Sequence, residues 1–209
     1  METKHILGIP IYTFDCSAQL LDIAVKESNK LQYQNNVSNK ISVTEYFYNK
    51  DLFDWFDECI DVAKMDIGIP SSIKLPIISC WFNKSNKLEK HHSHSHSNSF
   101  MSAIFYLSDS HKGGDTIFQI PNPWYKHYDW IKFTESKKIP LDYKISPTKG
   151  KLVLFPSWLQ HSVTPLKSIE ERVTLSFNTF FSGEIATEGR NISLYLSPKT
   201  TKERQENET

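Results

Sequence analysis

Four of the eight histidines of this 209-residue chain, His91, His92, His94 and His96, crowd into HHSHSHSNSF, which runs directly into the apolar segment MSAIFYL. Imidazole is a ligand for several divalent transition metals, so a loop dense in it that enters a buried strand is a way to mount a metal on a sheet. His94 and His96 stand two residues apart. Alternate side chains of an extended chain share a face, so both can reach one metal, and the same parity continues through Ser102, Ile104 and Tyr106. The third ligand must come from far along the chain. His161, in GKLVLFPSWLQHSVTP between two apolar strands, is the candidate. Two ligands from one strand and one from a later strand form a facial set with open positions, as in non-haem iron sites. The competing reading of HHSHSHS is a surface tract that collects metal adventitiously. Its mid-chain place and its continuation into a strand weigh against that.

The elements that must position these residues follow from periodicity. IPIYTF reads as a short strand. From Ser17 to Leu31 the residues Leu20, Ala24 and Leu31, flanked by Leu21 and Val25, recur at helical spacing. Residues 33 to 50 are polar, with a strand candidate in ISVTEYFY. A second helix runs from Asp51 to about Ile67, with Leu52, Phe56, Ile60, Ala63 and Ile67 on one face and Asp54, Asp57, Asp61 and Lys64 on a solvated one. Gly68 and Pro70 end it. Then the pattern turns to β: IKLPIISCWF, a loop NKSNKLEK, the histidine stretch with SAIFYL, a Gly-Gly turn in HKGGD, and TIFQI. Residues 121 to 148 are long and irregular with four prolines, a candidate lid. KLVLF, SVTPL and RVTLSFNTFF close the domain. In the last, Val173, Leu175 and Phe177 face one way and Arg172, Thr174, Ser176 and Asn178 the other, a polar face that lines solvent or a wet cavity.

The fold class expected is mainly β with supporting helices (α+β), built on a double-stranded β-helix, or jelly-roll, core. One domain covers 1–183, with helical support at 15–68 and the jelly roll at 73–183. The polar stretch 184–209 reads as a partly disordered tail. The chain carries 24 basic and 24 acidic residues and no long block of one sign, so neither nucleic acid nor an anionic membrane is expected as a partner. Three widely spaced cysteines, Cys16, Cys59 and Cys80, argue against a disulfide framework and for a reducing compartment, the cytoplasm. No segment reads as a signal peptide or a membrane span.

Taken in order, HSHSNSFMSAIFYL, GGDTIF, GKLVLFPSWLQHSVTP and ERVTLSFNTFF resemble the 2-oxoglutarate- and Fe(II)-dependent dioxygenases, in particular the prolyl 4-hydroxylase-like branch and its short phage and bacterial members. The resemblance spans roughly residues 75 to 181. It implies Fe(II), 2-oxoglutarate and O2 as cofactors, and hydroxylation of a C–H bond of a peptidyl, proline-like, or small-molecule substrate with release of succinate and CO2. A phage member would work in the cytoplasm of an infected host cell. His94, His96 and His161 would hold iron, with no catalytic side chain beyond these ligands. Arg172 would clamp the distal carboxylate of 2-oxoglutarate, its planar fork matching a carboxylate. Tyr106 would assist it, as would Ser176 and Asn178.

One position departs from the family pattern. The family usually has His-x-Asp or His-x-Glu, where this chain has His96. Asp115 is the fallback acid, although its counterpart in the hydroxylases is not a ligand. Two readings compete with the oxygenase: a non-catalytic metal- or ligand-binding jelly roll, and a three-histidine dioxygenase that uses no 2-oxoglutarate. Of the three, only the 2-oxoglutarate-dependent oxygenase requires Arg172.

Overall fold

The structure is a computed structural model that describes residues 2–6, 8–110, 112–119, 142–186 and 193–206. Two antiparallel sheets face one another. The larger has the strand order β1 (Glu2–Ile6), β2 (Ile9–Asp15), β10 (Lys151–Pro156), β7 (Met101–Tyr106), β12 (Arg172–Thr179), β5 (Ile77–Ser85), β4 (Lys40–Ser42), β3 (Tyr33–Asn35). The smaller has the order β6 (His91–His94), β11 (His161–Val163), β8 (Thr116–Gln119), β9 (Asp142–Ile145). This is a double-stranded β-helix, a mainly β fold with supporting helices.

Period-two alternation on the large sheet builds two cores. Residues such as Phe14, Phe82, Phe105, Leu154 and Phe177 point outward and pack with the helices. Their neighbours Ile11, Ile104, Tyr106, Val153 and Phe155 point inward, toward Phe118 of the small sheet. Central strands are therefore covered on both faces, and all six residues of β7 are buried. Helix α1 (Ala18–Lys30) starts at Ser17, whose hydroxyl accepts from Leu20 N at 3.2 Å. Helix α2 (Lys50–Asp66) starts at Asn49, whose Oδ1 accepts from Leu52 N at 3.2 Å, and buries Leu52, Phe56, Ile60 and Ala63. It stops at Gly68, which takes a left-handed φ of 76°.

Several sequence expectations change. Lys64 is not on a solvated face: it is 6% exposed, and its Nζ donates to Ile73 O and pairs with Asp61. The stem lies along the apolar side while the ammonium finds acceptors at its end. The strand expected in ISVTEYFY is confined to Lys40–Ser42, and β5 runs on through Asn83, Lys84 and Ser85 of the expected loop NKSNKLEK. His94 and Met101 do not share one strand. The chain leaves β6 after His94, turns through Asn98 at a φ of 52°, and enters β7 in the other sheet, so the parity argued from His94 to Tyr106 does not hold. Beyond Gly183 the polar stretch carries a hairpin of β13 (Gly183–Ala186) and β14 (Ser193–Leu196) and a short helix α3 (Thr201–Glu206). Buried Thr201 ties this helix to Ile77 O at 3.0 Å. Most of the candidate lid lies outside the described residues; of its span, residues 142–148 are described, and β9 pairs there with β8. No helix among the described residues is long and apolar enough to cross a membrane.

Candidate metal centre and its cavity

Three strand ends and one loop assemble the site. His94 closes β6 directly opposite His161, the first residue of β11. His96 lies past the end of β6 and is held by its backbone, whose N–H donates to Ser157 O at 2.9 Å. The ring centroids are 4.3 Å apart for His94 and His161, 5.1 Å for His94 and His96, and 5.2 Å for His96 and His161. One ligand nitrogen from each falls within 4.8 Å of the others. A loop held at Ser157, rather than strand parity, brings His96 to the group.

The hydrogen bonds select the tautomers. His161 Nδ1 lies 3.0 Å from Leu159 O and His94 Nδ1 lies 2.9 Å from His92 O. A carbonyl only accepts, so each Nδ1 carries the proton and each Nε2 presents its lone pair. Burial, then the neighbouring imidazoles, pushes His96 down to about 4, while burial, His94 and His96 push His161 down to about 3. Burial lowers His94 as well. Neutral imidazoles with aimed lone pairs are what a borderline divalent metal takes, so the donor set fits Fe(II). It brings no negative charge of its own.

Asp115 belongs to neither histidine group. Its Oδ1 accepts from Ser146 Oγ at 2.6 Å, and its Oδ2 faces Lys144 Nζ at 3.7 Å. The structure does reveal a fourth imidazole: His91 stacks on His94 at 4.4 Å, and a second group of ligand atoms is formed by His91, His92 and His94.

Arg172, 4% exposed, lines the same cavity as the histidines. Its Nε donates to Gly114 O at 2.9 Å, its Nη2 reaches Thr116 Oγ1 at 3.4 Å, and its guanidinium carbon lies 5.4 Å from the Tyr106 ring centroid. Tyr106 Oη shares a 2.7 Å hydrogen bond with the same Thr116 hydroxyl. The backbone can come this close because Gly114 has no side chain: a Cβ there would sit 3.1 Å from Arg172 Cδ. Burial lowers the guanidinium pKa, and the nearby Tyr106 and Asp115 oppose that shift.

Arg172, Thr174 and Ser176 of β12 share one cavity with His94, His96 and His161, about 470 Å³ of atom-free space including its open mouth. Asn178 is not on its wall. Its Oδ1 accepts from Ser102 Oγ at 2.7 Å, and that hydroxyl also meets Ser157 Oγ at 2.8 Å, so Asn178 steadies the loop that holds His96. Trp81, Asn83 and Ser85 of β5, with Asn39 before β4, also line the cavity. Sequence reading missed them. The signal was available, since Trp81, Asn83 and Ser85 alternate and pair with Ser176, Thr174 and Arg172, but treating Asn83 onward as loop hid it.

Residues 79–178, just under half of the chain, match the family model described as "Putative 2OG-Fe(II) oxygenase". No curated protein sequence matches. Among solved structures, the chain is similar to an oxidoreductase of the 2OG-Fe(II) oxygenase family from Burkholderia pseudomallei, with a TM-score of 0.60 and 11% identity over 81% of this chain and 83% of that one. It is similar to a Pseudomonas putida prolyl-4-hydroxylase, with a TM-score of 0.56 and 15% identity over 83% and 94% of the two chains. HygX from Streptomyces hygroscopicus, solved with nickel and 2-oxoglutarate bound, gives a TM-score of 0.58 and 11% identity over 92% and 93%.

Proposed function

We propose that this chain, a 2-oxoglutarate- and Fe(II)-dependent oxygenase, holds iron on His94, His96 and His161 and clamps its cosubstrate with Arg172. The reaction is hydroxylation of a C–H bond in a peptidyl, proline-like, or small-molecule substrate, with release of succinate and CO2. The observation that carries the reading is a single cavity lined by three neutral imidazoles and a buried guanidinium. Iron, when bound, supplies O2 activation coupled to decarboxylation of the keto acid.

The chain's own residues orient and exclude. Nδ1 contacts to Leu159 O and His92 O hold two imidazoles in the tautomer that leaves Nε2 free. The Gly114 carbonyl and the Thr116 hydroxyl keep the Arg172 fork in place, and a carboxylate there gains charge-assisted hydrogen bonds in a site shielded from water. Tyr106 supports that carboxylate through Thr116, and the Ser176 hydroxyl lies along the same wall. A neutral ligand set leaves Fe(II) with its full charge, which an anionic cosubstrate offsets on arrival. Asp115 is engaged with Ser146 and Lys144 and takes no part in holding metal. Residues 1–183 serve as the catalytic domain.

Support for this substrate range comes from neighbours of the same fold, one solved with hygromycin B and one, a prolyl hydroxylase from Trichoplax adhaerens, with a peptide fragment. The test is anaerobic addition of Fe(II) and 2-oxoglutarate to the protein. The expected result is the visible charge-transfer band of a keto acid chelated to iron. Folded protein that shows no band overturns the reading. Iron binding without the band would instead favour a three-histidine dioxygenase that needs no keto acid.

A further inference from the structure

Two buried side-chain oxygens have no hydrogen-bond partner among the described residues, Asn39 Oδ1 and Asn83 Oδ1, and both residues line the same cavity. They are 5% and 7% exposed. An acceptor buried without a partner is costly, and buried polar groups are normally satisfied, so two such atoms beside one cavity mark a place where something else supplies the donors.

Their positions are set by the sheet. Ile41 pairs with Asn83 and Lys40 with Lys84, and Asn39 immediately precedes β4, where that ladder ends. Both side chains line one cavity, so one small group seated there can reach both amides. Asn83 is locked by its own bond, Nδ2 donating to Ser176 Oγ at 3.2 Å, which leaves its oxygen as the free end. Trp81, two residues before Asn83 on β5, supplies an apolar plane beside them and packs against His96 with centroids 6.0 Å apart.

We infer that Asn39 and Asn83 form a substrate-reading subsite for an N–H donor, an amide group carried by the molecule to be hydroxylated and seated against Trp81. The inference rests on the cosubstrate reading of Arg172. Two carbonyl oxygens repel a carboxylate and attract N–H, so the pair suits the substrate and not 2-oxoglutarate, whose carboxylate has the guanidinium. A peptide segment or a primary carboxamide satisfies both oxygens; a hydrocarbon or an anion satisfies neither.

The experiment uses the full chain loaded with Zn(II) and 2-oxoglutarate, with acetamide as probe and N,N-dimethylacetamide as the control that lacks N–H. Acetamide should shift the side-chain amide NMR signals of Asn39 and Asn83, and N,N-dimethylacetamide should not. Equal shifts with both, or none with acetamide, overturn the inference. A second arm uses Asn39→Leu, which replaces an unpartnered polar atom by an apolar group. The variant should have an unchanged or higher Tm and unchanged 2-oxoglutarate dependence of the iron charge-transfer band, while acetamide affinity falls roughly tenfold. A Tm lowered by several degrees would make the amide structural, and a weakened 2-oxoglutarate dependence would assign it to the cosubstrate; each overturns the inference. A missing band in the parent protein would instead count against the iron and 2-oxoglutarate reading, which the acetamide shifts, repeated on Zn(II)-loaded protein without 2-oxoglutarate, test separately.

Discussion

Arg172→Ala removes the only guanidinium on the cavity wall among the described residues and leaves the histidines in place. A charge-assisted contact contributes about 1.5–3 kcal/mol, so the 2-oxoglutarate concentration needed for half-saturation should rise roughly 10- to 100-fold, with iron content nearly unchanged. Titration of the charge-transfer band alongside iron analysis checks it, and equal loss of metal would make Arg172 structural. His96 divides the ligand assignments. His96→Ala should lower iron affinity and Asp115→Ala should spare it, while His96→Asp restores a carboxylate and should retain iron. Metal-binding isotherms that show the reverse order would move the site to Asp115. The same imidazoles set a pH dependence. Unfolded, each titrates near 6.5; folded, His96 lies at about 4 and His161 at about 3, with burial the main cause. The unfolded chain therefore binds more protons between these values and 6.5, and the metal-free protein should lose stability as pH falls through that window. Thermal unfolding of the metal-free protein at a series of pH values checks the sign.

At the scale of elements, the turn between β7 and β8 positions the clamp. Gly113 and Gly114 both take left-handed φ, and a Cβ on Gly113 would come within 2.2 Å of Pro165 O. Gly113→Ala must therefore displace backbone, at a cost of at least about 1–2 kcal/mol from the left-handed conformation alone. Because Gly114 O is the acceptor for Arg172 Nε, the turn's displacement should weaken 2-oxoglutarate binding while metal affinity changes little. Denaturant unfolding together with the two binding titrations separates the effects, and loss of metal affinity in step with cosubstrate affinity would show that the turn serves the whole site. The GGD signal was readable as a turn. Its contact with Arg172, 58 residues away, was not, because backbone proximity across two sheets leaves no local mark in composition.

For the molecule as a whole, α2 acts as the backing plate of the site. Phe56 meets Phe177 with centroids 4.8 Å apart and Phe105 at 5.9 Å, and these residues belong to β12 and β7, strands whose opposite faces carry Ser176 and Tyr106. Phe56→Ala should cost about 3–5 kcal/mol of the roughly 5–15 kcal/mol that hold a domain together. The midpoint of urea unfolding should fall sharply, while the folded fraction keeps its 2-oxoglutarate titration; a titration that weakens in folded protein would mean the helix shapes the cavity directly. Local pattern was enough for much of this. Helical spacing in Leu52, Phe56, Ile60 and Ala63, alternation in RVTLSFNT, the histidine pair and the distal His161 are properties of neighbouring residues, and they determined the helices, the closing strand and the choice of ligands to consider. Only the tertiary structure decided how His96 reaches the group, because the chain changes sheets at Asn98 and the loop is held by Ser157. It also decided that Lys64 is buried, that Asn178 steadies a loop, and that Asn39, Trp81 and Asn83 line the cavity. Burial and contact between strands distant in sequence depend on which faces meet, and period-two alternation says only that a strand has two faces, not which one closes over the metal.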